Sequence, residues 1–189
     1  MPYILELRKH FKGLEVKLLR GTTPQVAEFM KNGSAELAIA PSLGDTWDRL
    51  DTWPLFTEDF VLVVGGSHHL AGCSSVQLSG LRGESLLMRT YCEHFEPLVS
   101  VLRSHDFTLD RAHEVPSEYD LEVLLRQNLG VAFAPQSVLF SEQVKRVFVT
   151  GLDLRRTVSL YGVAGRQRTP VANMISKMLR AADWSRYAT

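Results

Sequence analysis

Hydrophobic positions along this chain alternate between the three-to-four-residue spacing of helices and the short apolar runs of strands. The clearest case is LEVLLRQNLGVAFAPQSV, residues 121–138, where a helical pattern leads through Gly130 into an apolar run that stops at Pro135. A glycine just past a helix end favours a backbone with positive φ. We therefore predict a helix, a turn at Gly130 and a strand of a parallel sheet.

The same alternation extends over most of the sequence. Predicted helices cover 2–11, 22–31, part of 93–104, 119–127 and a closing segment from Thr169. Predicted strands are LEVKLL (14–19), ELAIAP (36–41), FVLVV (60–64), SLLMR (85–89), AHEV (112–115), VAFAP (131–135), VKRVFV (144–149) and TVSLYGVAG (157–165). Residues 47–53 are expected to form a loop. The run FVLVV has the composition of a strand that is buried on both faces.

Two sets of alternating strands and helices, separated by a long buried strand, predict an α/β protein with two lobes joined by crossing strands. The first lobe is expected to comprise about 1–64 and 166–189, and the second about 65–165. Ligands of such proteins usually lie in crevices at the carboxyl ends of strands.

Charge and composition narrow the choice of function. The 189 residues include 21 basic and 21 acidic side chains, so no charge excess favours nucleic acid or an anionic membrane. No apolar run is long enough for a membrane span, and the first residues lack the pattern of a signal peptide. We therefore expect a cytoplasmic protein. Cys73 and Cys92, in no metal-type spacing, indicate neither a disulfide framework nor a zinc site.

Three segments together resemble a known family. NGSAELAIAP, LFTEDFVLVVGGSHHLAG and LLRQNLGVAFAPQSV occur in the order and at about the intervals typical of the effector-binding domain of LysR-type transcriptional regulators. The resemblance covers nearly the whole chain. It implies two Rossmann-like lobes, as in type 2 periplasmic binding proteins, with an inducer between them. It also implies control of transcription through an N-terminal helix-turn-helix.

Two departures from that pattern concern the start of the chain. No helix-turn-helix precedes residue 1, so any DNA contact is expected only through a domain missing from this sequence. The family's first strand is also missing, since the chain begins inside the helix that normally follows it. We therefore expect unpaired strand edges in the first lobe and a first lobe that is less stable than the second.

If the resemblance holds, several strand ends point at one cleft and supply its ligand contacts. Thr22 and Thr23 offer hydroxyls at a helix N-terminus, which favours anions, although Thr22 and Gln25 alone would form a capping box. Arg89 is a candidate carboxylate clamp, or else a solvated surface arginine. Glu118 would disfavour an anion unless it faces Arg89. The predicted ligand-binding residues are Thr22, Thr23, Arg89, Thr90, Ser117 and Gln136.

Catalysis has little support in the sequence. The six histidines are scattered, and no HExxH, GxSxG, GxGxxG or Walker element occurs, so no nucleotide cofactor is expected. Cys92-Glu93-His94 could coordinate a metal or form a nucleophile with its base, but no third group is placed beside it. We expect neither an enzyme nor a metal site.

The sequence thus favours an effector-sensing domain that binds a small polar or carboxylated ligand. A homo-oligomer is also expected, with the helix at 24–31 and the strand before it facing the helix at 119–127 of a second copy. The alternatives are a stand-alone solute-binding protein of the same fold and, with less support, an enzyme on a related two-lobed scaffold.

Overall fold

The computed structural model describes residue 13, residues 15–44 and residues 48–187. The helices are α1 (Thr23–Lys31), α2 (Phe95–Ser104), α3 (Glu118–Arg126) and α4 (Pro170–Ala181), with short 3-10 helices at Leu78–Leu81 and Ser185–Tyr187. The strands are β1 (Leu37–Ala40), β2 (Leu50–Gly65), β3 (Ser75–Gln77), β4 (Leu87–Arg89), β5 (His113–Val115), β6 (Ala132–Pro135), β7 (Val144–Thr150) and β8 (Arg155–Val163). The predicted helix at 2–11 lies outside the described residues.

The chain divides into two compact units. The first contains the described residues up to Phe56 and those from Thr157 onward, and the second contains Thr57–Arg156. Strands β2 and β8 each continue from one unit into the other. The sequence placed the change at about residue 64, because the polar segment GGSHHLAG follows the buried strand there, and at about residue 166. The change instead falls within the strands.

The first unit is built on β1 and β8, which pair antiparallel with Leu37 opposite Gly162 and Ala40 opposite Ser159. Strand β2 is the next neighbour of β8. Helix α4 begins as predicted, with Thr169 Oγ1 accepting a hydrogen bond from the Ala172 N–H and Pro170 in the first turn. Among the described residues, this unit has a buried hydrophobic cluster of Met30, Ala38, Ala40, Leu43, Tyr161 and Val163.

The second unit has a mixed sheet with a core on each face. Strand β2 pairs antiparallel with β6 and with β7, and β3 is parallel to β7. Alternate β2 residues enter different cores: Phe60, Leu62 and Val64 pack with α2, whereas Val61 and Val63 pack with α3. The predicted burial of FVLVV on both faces is therefore confirmed.

Several sequence predictions are corrected by the structure. The described part of LEVKLL, residues 15–19, forms no strand, and Val16 and Leu18 are exposed. Strand β2 begins at Leu50, inside the predicted loop at 47–53. Strand β6 is antiparallel to β2, so its sheet is mixed rather than parallel.

Gly130 also has a different role from the one predicted. The residue with positive φ after α3 is Asn128, at φ 54°. Gly130 is required for another reason: a Cβ there would lie 2.4 Å from the Ser85 carbonyl oxygen. This close approach accompanies the bond from the Val131 N–H to the same oxygen, at 2.8 Å.

Candidate functional site

Three neighbouring strands of the second unit end side by side. Strand β4 is parallel to β5, with Arg89 opposite Val115, and a parallel bridge between Leu86 and Val131 sets β6 on the other side of β4. Parallel neighbours present their carboxyl ends at one edge of a sheet. Four of the six predicted residues occupy these ends: Arg89, Thr90, Ser117 and Gln136. The Thr90 hydroxyl donates to the Val115 carbonyl oxygen at 3.4 Å.

Arg89 is buried, with 5% of its surface exposed, so it is not the solvated surface arginine that the sequence left open. Its Nε donates to the Tyr91 hydroxyl at 3.2 Å and its Nη1 to Cys92 Sγ at 3.6 Å, while its Nη2 is hydrogen-bonded to Glu118 Oε1. Burial opposes the charged form, but Cys92, Glu118 and Tyr91 outweigh it, and the pKa of Arg89 is raised. The guanidinium is a fixed positive charge at the strand ends.

Glu118 faces Arg89, which is the arrangement that the sequence named as compatible with an anionic ligand. Ser117 positions it by capping α3, since its Oγ accepts from the Asp120 N–H at 3.1 Å. The second carboxylate oxygen of Glu118, Oε2, is buried and has no hydrogen-bond partner among the described residues. The sequence did not include Glu118 in the site, because only the fold brings α3 against the end of β4.

Gln136 lies immediately after β6, where its backbone N–H donates to the Asp59 carbonyl oxygen at 3.1 Å. Its side-chain Oε1 is buried and likewise lacks a partner in the described part of the chain. Buried polar atoms in folded proteins are normally paired. Two acceptor atoms, on Glu118 and Gln136, therefore remain unpaired in the segments that follow β5 and β6, the strands on either side of β4.

Thr22 and Thr23 belong to the first unit, at the start of α1. The Gln25 side chain accepts from the Thr22 N–H at 2.8 Å and from its hydroxyl at 3.3 Å, in the capping box that the sequence predicted. The hydroxyl of Thr22 is thereby engaged in the cap. A ligand role for these two threonines stays a prediction.

A buried ionic network that was not predicted from the sequence lies next to the end of β6. Glu58 is completely buried, and its carboxylate accepts from the Ser137 N–H at 2.6 Å, the Ser137 hydroxyl at 2.9 Å and Arg156 Nε at 2.8 Å. Arg156 also donates from Nη1 to Glu93 at 2.7 Å. Because Ser137 follows Gln136 directly, this network fixes the backbone beside the Gln136 side chain.

The structure gives Cys92 and His94 contacts other than the metal or nucleophile arrangement left open by the sequence. Burial raises the pKa of the Cys92 thiol despite the nearby Arg89, which disfavours the thiolate needed for either role. The His94 ring packs against Phe60 with ring centres 5.3 Å apart. Both side chains serve the packing around Arg89 and Glu93.

Within the described residues, His68, His69 and Glu84 bring three potential metal-ligating atoms together. The two Nε2 atoms lie 3.4 and 3.2 Å from the two Glu84 oxygens. His68 Nδ1 accepts from the Leu70 N–H at 3.3 Å, which in a neutral ring leaves the proton on Nε2. That nitrogen then donates to Glu84 instead of offering a lone pair. We interpret the group as a hydrogen-bonded cluster.

Comparison with known proteins establishes the family. The sequence profile of the LysR substrate binding domain matches residues 1–184, and the chain belongs to this family. The resemblance inferred from the three segments, and the α/β fold class that it implied, are confirmed. The part of the chain that the structure describes contains no helix with the length and hydropathy of a membrane span.

Individual relatives are distant. The chain is 26% identical to the hydrogen peroxide-inducible genes activator of Haemophilus influenzae, over 77% of this chain and 49% of that protein, so it spans about half of that relative. The regulatory domain of CcmR from Synechocystis PCC6803, solved in complex with 2-PG, has a TM-score of 0.78 at 20% identity, covering 95% of this chain and 89% of that one. The effector binding domain of QuiR, solved with shikimate, has a TM-score of 0.73 at 19% identity, covering 93% and 88%.

Proposed function

We propose that this chain is the effector-sensing domain of a LysR-type transcriptional regulator. The membership of the family supports this, and so does the match to a genes activator of which the chain spans about half. DNA contact would then be made by a segment outside this sequence, and the protein would act in the cytoplasm, where it has access to DNA. The chain itself would bind its ligand without converting it.

The observation that carries the proposal is Arg89, a buried cation at the carboxyl ends of three adjacent strands. A buried guanidinium with polar neighbours suits a small carboxylated ligand. Thr90, Ser117 and Gln136 would provide further contacts at the same strand ends. The structural relatives bound to 2-PG and to shikimate, both anions, support the same ligand class.

Calorimetric titration with a panel of small carboxylates tests the proposal. We expect at least one with micromolar affinity, which corresponds to roughly 8 kcal/mol. Arg89→Met should weaken it about 10- to 100-fold, because a hydrogen bond to a charged group contributes about 1.5 to 3 kcal/mol. Arg111→Met, which removes an exposed arginine of the same unit, is the matched control.

Arg89→Lys covers the case in which Arg89→Met fails to fold, since it keeps the charge but not the forked geometry. Unchanged binding in a folded Arg89 variant would contradict the site, and no binding by any carboxylate would contradict the ligand class.

We also propose that two copies associate through α1 of one chain and α3 of the other. Tyr119 and Val123 support this, because they leave α3 with apolar surface that is 78% and 40% exposed. Sedimentation equilibrium at tens of micromolar protein is the measurement, and a monomer throughout would contradict the idea.

A further inference from the structure

The site at the strand ends carries more information about its ligand than a positive charge alone. Glu118 Oε1 already accepts from Arg89, so the charge of the guanidinium is matched inside the protein. A ligand that offers only a carboxylate would gain from Arg89 but would be repelled by Glu118. The pair, in which the Arg89 side chain is 6% and the Glu118 side chain 42% exposed, therefore offers a carboxylate a partner but no net positive charge.

Two acceptor atoms in the segments that follow these strands have no hydrogen-bond partner among the described residues. Both atoms, Glu118 Oε2 and Gln136 Oε1, are buried, and besides Arg89 the Tyr91 hydroxyl also interacts with the Glu118 carboxylate. The two acceptors belong to the segments that follow β5 and β6, the two neighbours of β4. An acceptor that is cut off from water and left unpaired is costly, whereas a donor from a ligand would satisfy it.

Arg89 also has hydrogen-bond donors beyond those used in the bonds described above. A guanidinium has five N–H groups, and Arg89 uses one from each of its three nitrogens. One N–H on each terminal nitrogen is therefore left for a ligand carboxylate. The strand ends thus combine free donors on Arg89 with free acceptors on Glu118 and Gln136.

We infer that the ligand is a small carboxylate that also carries a hydroxyl or ammonium donor close to the carboxyl group. Its carboxylate oxygens accept from Arg89, while its donor group binds Glu118 Oε2 and Gln136 Oε1. This inference rests on the proposed function and narrows it from carboxylates in general to hydroxy and amino acids. An uncharged polyol lacks the partner for Arg89, and a plain fatty or aromatic acid lacks the partners for the two acceptors.

Matched ligand series provide the experiment on the full chain. Each series keeps one carbon skeleton: propionate, lactate and alanine; succinate, malate and aspartate; cyclohex-1-enecarboxylate and shikimate. Calorimetry should show that a donor-bearing member of at least one series binds at least tenfold more tightly than its donor-free parent. Comparison of the hydroxy and amino members then shows which donor the site uses.

The variant Glu118→Gln supplies a test that general destabilisation cannot mimic. The amide places donors where Oε2 was and removes the charge that matches Arg89. We therefore expect the donor-bearing ligand to bind at least tenfold more weakly and the donor-free carboxylate to bind more tightly than in the unmodified chain. Glu142→Gln, at an exposed position of the same unit, is the control and should leave both affinities unchanged.

The outcomes separate the inference from the proposed function. If donor-free carboxylates bind as tightly as their hydroxy and amino counterparts, or if Glu118→Gln weakens both alike, the inference is wrong while the carboxylate site stands. If none of the eight compounds binds, the inference and the proposed ligand class both fail.

Discussion

Two acidic residues next to each other in β2, Glu58 and Asp59, form ion pairs that differ in burial and should therefore differ in their contribution to stability. Glu58 is fully buried and is held by Arg156 and Ser137. Asp59 pairs with Arg155 at 2.6 Å, but the two side chains are 32% and 63% exposed. Exposed pairs contribute little, whereas removal of one partner from a buried pair leaves an uncompensated charge.

Glu58→Ala should therefore lower the free energy of unfolding by about 3 to 5 kcal/mol, because Arg156 and the Ser137 N–H lose their buried acceptor. Asp59→Ala, one position away, should change it by less than about 1 kcal/mol. Urea denaturation of both variants at neutral pH measures the difference. Equal effects would show that the Glu58 network contributes no more than a surface pair.

The two cysteines should differ in reactivity. Cys73 is exposed, whereas Cys92 is half-buried and its pKa is raised by burial from an ordinary value of 9.0. Since only the thiolate is nucleophilic, alkylation of Cys92 should be slower than that of Cys73 at pH 8 and should keep accelerating above pH 9. Iodoacetamide labelling followed by mass spectrometry gives both rates. Rapid labelling of Cys92 at neutral pH would contradict its raised pKa.

At the scale of single residues, sequence patterns found the side chains that end a strand or begin a helix. Arg89, Thr90, Ser117 and Gln136 were predicted because each lies beside a recognisable element boundary. Glu58 was missed, and Glu118 was considered only as a residue that could face Arg89, because the roles of both depend on partners that are distant in sequence. Glu58 and Ser137 are 79 positions apart, and Arg89 and Glu118 are 29 apart.

At the scale of elements, helix caps and apolar periodicity predicted α1, α3 and α4 well, since their signals are local. Pairing was harder. The strand β3 escaped detection because it has only three residues, and LEVKLL was wrongly predicted as a strand because alternation alone does not supply a neighbouring strand. The mixed sheet of the second unit depends on which strands are neighbours. The hydrophobic pattern within a single strand does not determine its neighbours.

Gly130 tests the revised account of the α3–β6 connection. Gly130→Ala should destabilise the protein by about 1 to 3 kcal/mol, because its Cβ would press on the Ser85 carbonyl and separate β6 from β4. Gly72→Ala is the control, since a Cβ there has nothing within 4 Å and its φ is not positive. Thermal unfolding of both variants measures the effect. A Gly130→Ala protein as stable as the control would mean that the space between β6 and β4 accommodates a methyl group.

At the scale of the whole molecule, the two units differ in the size of their cores. The second unit has two buried clusters, one on each face of its sheet. Within β6, residues Ala132–Ala134 are at most 2% exposed. Among the described residues, the first unit has one smaller cluster, and Ile39 in its β1 strand is 52% exposed. Apolar burial is the main source of stability, so the second unit should be the more stable.

Hydrogen exchange followed by mass spectrometry or NMR tests this difference in stability. In the described chain β1 has a single neighbour, β8, whereas β6 lies between β2 and β4. Residues 15–19 form no strand at all. We expect amides of residues 15–19 to exchange first, those of β1 next, and those of β6 last, because a segment exchanges by the least costly opening available to it. If the most protected amides of β1 match those of Ala132–Ala134, the two units unfold together, and the small core of the first unit does not limit its stability.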